Sequence, residues 1–142
     1  METNPTPHKT TISDLTTKES PMWCANCGDF TILSTLKMAI AELNLAPENV
    51  LLVSGIGCGS KTPHFVRVYG FEGLHGRALS VATGAKLANP TLTVIVITGD
   101  GDGHGIGGNH FLHMLRRNVD VLHIVQNNEV YGLTKGQYSP TS

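Results

Sequence analysis

Two short polar segments carry residue types able to hold a charged ligand: Thr98-Gly99-Asp100-Gly101-Asp102 and Gln126-Asn127-Asn128. A carboxylate and an amide oxygen are hard donors suited to Mg²⁺, which takes few protein ligands and fills its remaining positions with phosphate oxygens and water. Glycines on either side of Asp100 allow the backbone to approach such a ligand closely. Asp100 and Asp102 together would repel a bare pyrophosphate, so the pattern calls for an anion bridged by a divalent cation.

A competing pattern overlaps the first segment. Gly103-His104-Gly105-Ile106-Gly107-Gly108 satisfies G-x-G-x-x-G ahead of a helix, and Glu129 follows about 20 residues on, the arrangement of a dinucleotide site. That motif does not normally use a cation, and the two aspartates argue against it on charge. The thiols form a second constellation. Cys24-Ala25-Asn26-Cys27 is a C-x-x-C, and Cys58 adds a third soft ligand from Ile56-Gly57-Cys58-Gly59-Ser60. Structural zinc and iron-sulfur clusters ordinarily take four ligands, so the three thiols leave one place open.

These residues need a scaffold that brings distant loops to one edge. The apolar runs Val50–Val53, Leu92–Thr98 and Val121–Gln126 read as strands buried on both faces. Between and before them, helices are expected from Asp29, a candidate N-cap, to just before Pro47, over Ala78–Leu87 and over Asn109–Arg117. Strands alternating with helices predict an α/β fold with a mainly parallel sheet flanked by helices. In such sheets ligands collect beyond the carboxyl ends of the strands, and a right-handed crossover would bring Asp100 and Asn128 to the same edge. Residues 60–76 give no clear pattern. Residues 1–20, rich in Thr, Pro, Lys and Glu, read as a mobile arm preceding a domain over 21–142. The chain stops with no further element to cover the sheet, so the domain is expected to be incomplete at its C-terminus.

Composition narrows the partners. The 142 residues carry ten Lys and Arg against eleven Asp and Glu, a net charge of −1, which supplies no general attraction to nucleic acid or anionic membranes. No apolar run is long enough to span a bilayer and no signal peptide opens the chain, so a cytoplasmic location is expected. Three cysteines without a secretion signal argue against a disulfide framework.

The Gly-Asp-Gly segment at 99–101 followed by Asn127-Asn128 resembles the diphosphate-binding motif of the thiamine-diphosphate enzymes. Carried over position by position, the resemblance implies that Asp100, the Asn128 side chain and the Val130 carbonyl hold Mg²⁺, while Gly101, Asp102, Gly132 and Leu133 contact the cofactor. The stretches Trp23-Cys24-Ala25-Asn26-Cys27-Gly28-Asp29 and Ile56-Gly57-Cys58-Gly59-Ser60 resemble the beta subunits of 2-oxoacid:ferredoxin oxidoreductases. There, such cysteines bind a [4Fe-4S] cluster. The resemblance thus implies that Cys24, Cys27 and Cys58 are cluster ligands, with a fourth cysteine beyond Ser142, and that Ile56, Gly57, Cys58 and Gly59 touch thiamine diphosphate.

The same resemblance implies an enzyme: CoA-dependent oxidative decarboxylation of a 2-oxoacid, with electrons passed singly through the cluster to ferredoxin and an alpha subunit completing the site. Tyr131-Gly132-Leu133-Thr134-Lys135-Gly136-Gln137 with Ser139-Pro140-Thr141 looks more like the 2-oxoglutarate type than the pyruvate type. A second substrate carboxylate needs a cation, for which Lys61, Arg67 and Lys135 are candidates. His75 and His110 are further site candidates; His8, His113 and His123 read as arm, helix and strand residues. An NAD-binding domain and a zinc-stabilised module are the alternatives of another class.

Overall fold

The computed structural model describes residues 9–142; His8 and the rest of residues 1–8 lie outside the described residues. The chain forms α1 (Gly28–Glu42), β1 (Val50–Ser54), β2 (Tyr69–Glu72), α2 (Ala78–Ala88), β3 (Thr93–Gly99), α3 (Gly108–Arg117) and β4 (Leu122–Gln126), followed by a short hairpin of β5 (Val130–Tyr131) and β6 (Gln137–Tyr138). Strands β1 to β4 make one parallel sheet in the order β2-β1-β3-β4. This is the expected mainly parallel α/β architecture.

Alternation along the central strands divides the core in two. Val50 and Leu52 of β1 and Ile95 and Ile97 of β3 face α1, where Leu33, Leu36 and Ile40 recur at helical spacing and bury one stripe. Val53, Val94 and Val96 face the other way, against Ala78, Leu79 and Ala82 of α2 and Met114 of α3. A strand buried on both faces must be apolar at consecutive positions, which is why β1 and β3 read as continuous hydrophobic runs.

Several boundaries differ from expectation. Helix α1 starts at Gly28, with Asp29 inside its first turn and Cys27 at the N-cap, and it stops at Glu42, because Asn44 turns the chain left-handed at φ 51°. The ambiguous stretch 60–76 contains a 3₁₀ turn, Gly59–Phe65, and the edge strand β2. Tyr69 and Phe71 of β2 are exposed, so this strand has no inward apolar face to betray it. The hairpin β5–β6 was not foreseen either; it lies outside the main sheet.

From residue 9 onward, the segment expected to be an arm packs on the body. Leu15 is wholly buried in the α1-side core, Thr16 bridges to Val66, and Arg67 donates its backbone N–H to Leu15 O at 2.9 Å. One apolar side chain in a polar stretch produces no periodicity, yet it suffices as an anchor. Leu15→Ala should destabilise the protein by about 3 kcal/mol, the usual cost of emptying a core leucine site; a urea midpoint equal to that of the wild type would contradict this.

A second, smaller cavity of about 420 Å³ lies between α3 and β4, lined among others by His104, Phe111, Met114 and His123. His123 Nε2 pairs with Thr98 Oγ1 at 2.8 Å. Burial, with the nearby His104 adding to it, pushes the His123 imidazole down to about 4. As pH falls from 6.5 toward that value, the unfolded chain binds a proton that the folded chain does not, so stability declines across this window. His123→Gln should flatten the decline in denaturant titrations between pH 7 and pH 4.5.

Candidate cofactor and metal site

The parallel register of β3 and β4 sets Gly99 opposite Gln126. The residues that follow each strand therefore leave the sheet side by side, and Asp100 and Asn128 meet: the Asn128 N–H lies 3.4 Å from Asp100 Oδ1. Asp100 is 1% exposed. Burial alone would raise its carboxyl, but the hydroxyls of Ser139 and Thr141 and the Asn128 N–H outweigh burial and hold it below the usual carboxylate range. It is therefore a charged, pre-oriented carboxylate. Asn128 is oriented by the Val130 N–H, which donates to its Oδ1 at 3.3 Å.

These residues form one side of a cavity of about 610 Å³, within the size range of small-molecule sites. Opposite them lies the loop after β1, with Ile56, Gly57, Cys58 and Gly59; Gly132 and Leu133 come from the hairpin, and His75 from the loop before α2. Cys24 and Cys27 line the same cavity. All the residues carried over from the family motifs, including Gly101, Asp102 and Val130, thus converge on one cavity.

Asp102 has a part that its sequence position does not disclose. Its Oδ1 accepts the N–H of Gly76 at 2.7 Å and of Ile56 at 3.2 Å, and pairs with His75 Nδ1 at 2.6 Å. Two backbone N–H groups and the His75 imidazole thus hold this carboxylate from within the protein. Its Oδ2 is buried without a partner. Gly55 is the glycine this contact requires: a Cβ there would fall 2.0 Å from Asp102 Oδ2.

The three thiols share one wall. Cys58 is pushed up by burial first, and then by the negative charge of Asp29 and the neighbouring Cys24 and Cys27. The Trp23 indole N–H donates to Cys58 O at 2.7 Å, and the Trp23 ring meets Phe30 and Phe65 edge-on, fastening the cysteine segment to the body. Among the described residues no group of three or more His, Cys, Asp or Glu side chains is arranged to hold a metal ion.

Other candidates fall elsewhere. Lys61 is an exposed partner of Glu72 at 3.4 Å, and the Arg67 side chain donates to Thr16 O. Lys135 sits at the hairpin turn with φ 75°, just past the cavity residues Leu133 and Thr134. His110, His113 and His123 do not line this cavity. In the dinucleotide-like run, Gly103 and Gly105 lie in a π-helical turn over Gly101–Ile106 and pack against Thr98 and Tyr131, and Gly107 just beyond it packs against the Asp102 carbonyl. Neither these glycines nor Gly108 line the cavity, so they do not form there the pyrophosphate cradle that a dinucleotide site needs.

Gln126 and Tyr131 stand in segments noted in the sequence but without a role of their own there, and both line the cavity. Gln126 has both amide atoms buried without partners while lining the cavity. Such an orphaned amide fits a site built to hydrogen-bond a ligand. Tyr131 donates its hydroxyl to Gly101 O at 3.0 Å and covers that glycine with its ring. For Mg²⁺ the donor set fits: a charged carboxylate, an oriented amide and the backbone at Val130 on one lip. For an iron-sulfur cluster three thiols are present of the four ligands it takes.

Residues 55–142 match the family described as thiamine pyrophosphate enzyme, C-terminal TPP binding domain, and the chain belongs to that family. Within it, the chain is similar to the oxidoreductase beta subunits. It is 52% identical over 129 residues to 2-oxoglutarate oxidoreductase subunit KorB of Mycobacterium tuberculosis, covering 91% of this chain and 35% of that protein. It is 61% identical over 121 residues to a 2-oxoacid:ferredoxin oxidoreductase subunit beta of Saccharolobus solfataricus, covering 84% and 40%. The solved 2-oxoglutarate:ferredoxin oxidoreductase of Magnetococcus marinus, with 2-oxoglutarate, coenzyme A and succinyl-CoA bound, superposes with a TM-score of 0.91 at 47% identity, covering 94% of this chain and 46% of that one. The chain spans less than half the length of each of these relatives.

Asp102→Ala should destabilise the protein by about 3 kcal/mol, the scale of leaving partners of a buried charged group unpaired. It should also weaken thiamine diphosphate binding, because loops on two other elements lose their shared anchor. Gly55→Ala should reproduce part of both effects. Guanidinium unfolding and fluorescence titration measure them, and wild-type values in both variants would refute the assignment.

Proposed function

We propose that this chain carries the thiamine diphosphate site of the beta subunit of a 2-oxoacid:ferredoxin oxidoreductase acting on 2-oxoglutarate. The observation that carries the reading is the convergence of the Asp100–Asn128 lip, the Ile56–Gly59 loop and three cysteines on one cavity. Mg²⁺ would be held by Asp100, Asn128 and the Val130 carbonyl. Ile56, Gly57, Cys58, Gly59, Gly101, Asp102, Gly132 and Leu133 would contact the cofactor. When bound, thiamine diphosphate supplies the carbanion chemistry that lets a 2-oxoacid lose CO₂.

The protein's share is to bind, orient and shield. His75, held by Asp102 through Nδ1, presents its remaining ring nitrogen as the side-chain acid or base available to a bound ligand. Cys24, Cys27 and Cys58 would hold a [4Fe-4S] cluster with a fourth ligand from outside these residues. Electrons would leave through it to ferredoxin, and coenzyme A would take the acyl group. An alpha subunit is the expected partner, and the cytoplasm the expected location. No helix among the described residues is long and apolar enough to cross a membrane.

Substrate choice rests on a cation for the second carboxylate. Lys135, next to the rim residues Leu133 and Thr134, is better placed than Lys61, which is occupied by Glu72, or Arg67, which is turned to Thr16. The full complex, purified without oxygen, should contain iron and reduce a viologen dye in a CoA-dependent reaction faster with 2-oxoglutarate than with pyruvate. Lys135→Met should raise the KM for 2-oxoglutarate and leave that for pyruvate nearly unchanged. Equal or reversed wild-type rates would instead favour a pyruvate or broad-specificity enzyme, and an iron-free, colourless complex would remove the cluster.

A further inference from the structure

The residues from Ser139 to Ser142 fold back beneath the Asp100–Asn128 lip. Ser139 accepts the Thr141 N–H on its hydroxyl at 3.3 Å and donates its own N–H to Ser142 Oγ at 2.8 Å. Ser142 Oγ in turn donates to the Glu129 carbonyl. Ser139 is buried, at 9% exposure. Beside the Ser139 hydroxyl, which also helps to hold the Asp100 carboxylate, this small, internally bonded turn presents Thr141, whose Oγ1 lies 2.7 Å from Asp100 Oδ2 and 2.8 Å from Asn127 Oδ1. A hydroxyl has a single proton to give, and of two acceptors the charged one takes the larger share.

The two oxygens of Asp100 are therefore unequal. Oδ2 is engaged by a short hydroxyl contact at 2.7 Å, whereas Oδ1 has the long N–H contact of Asn128 at 3.4 Å. A carboxylate with both oxygens free can bind a cation through both at once, which suits the large, irregular shell of Ca²⁺. Mg²⁺ needs near-octahedral ligands at short distance and takes such carboxylates through one oxygen.

We infer that Thr141 is a positioning residue that commits Asp100 to binding its metal through Oδ1 alone, and thereby favours Mg²⁺ over Ca²⁺ at the cofactor site. The inference rests on the reading of Asp100 as a metal ligand. It adds a selectivity determinant from a part of the chain well separated from Asp100 in sequence. Thr141 does not line the cavity; it acts through the carboxylate it holds.

The test uses the full-length protein in complex with its partner subunit. Mn²⁺ binding in the presence of thiamine diphosphate is followed by electron paramagnetic resonance, with Mg²⁺ and Ca²⁺ as competitors. Hydrogen-bond partners of metal ligands are typically worth 10-fold to 100-fold in affinity, so Thr141→Val should weaken Mg²⁺ by about tenfold or more. Its Ca²⁺ affinity should change less, so that the preference for Mg²⁺ narrows. Thr141→Ser, which keeps the hydroxyl, should retain the wild-type preference. A Thr141→Val protein with a wild-type circular dichroism spectrum and an unchanged ratio of Mg²⁺ to Ca²⁺ affinity would overturn the inference, as would loss of the preference in Thr141→Ser. Asp100→Asn separates the two levels. If it abolishes metal binding while Thr141→Val changes nothing, only the role of Thr141 falls; if it binds Mg²⁺ like the wild type, the metal site falls and the inference with it.

Discussion

One carboxylate oxygen, Oδ1 of Asp102, receives N–H groups from the loop after β1 and from the loop before α2 while its own residue follows β3. Parallel strands are joined by long crossovers, so the loops at their carboxyl ends are remote in sequence and have no backbone ladder between them. A buried anion is a strong way to gather them, because every N–H it accepts offsets the cost of removing its charge from water. The cavity exists in its present shape because Ile56, His75 and Gly76 are drawn to that point. The absence of a side chain at Gly55 is what lets the carboxylate arrive.

The sheet does the coarser positioning. With Gly99 and Gln126 in register, the chain leaves β3 and β4 at the same level, and Asp100 and Asn128 need only short backbone excursions to meet. Gly101 lets the Tyr131 ring approach the turn closely, since a Cβ there would fall 2.5 Å from that ring. The tight π-helical turn that follows sets Asp100 and Asp102 to separate tasks, one facing Asn128 and Thr141 and one facing the loops at Ile56 and Gly76. Membership of the thiamine pyrophosphate family is consistent with this division. Trp23, clasped between Phe30 and Phe65 and bonded to the Cys58 carbonyl, extends the same cavity to the cysteines.

Much of this was legible in the amino-acid order. The central strands declare themselves as apolar runs because both their faces are buried, the helices by stripes at helical spacing, and the cavity lip of Asp100 and Asn128 by two motifs whose spacing matches one crossover. The edge strand β2 was not legible, since its exposed Tyr69 and Phe71 show no inward face, and neither was the anchoring of residues 9–17, where Leu15 stands alone among polar neighbours. A single buried contact leaves no period for a pattern to reveal.

The sequence by itself determined the class of fold, the carboxyl edge at which a ligand would gather, and the chemical types of the donors there, because these follow from hydrophobic period and from residue identity. Only the tertiary structure decided what each donor does. It made Asp102, which lines the cavity, also the knot between loops, packed Gly103, Gly105 and Gly107 against protein, lined the cavity with Gln126 and Tyr131, and set Thr141 on Asp100. These are contacts between residues tens of positions apart, and their geometry is set by the register of the sheet and the closing of its loops, neither of which is written in any local stretch of chain.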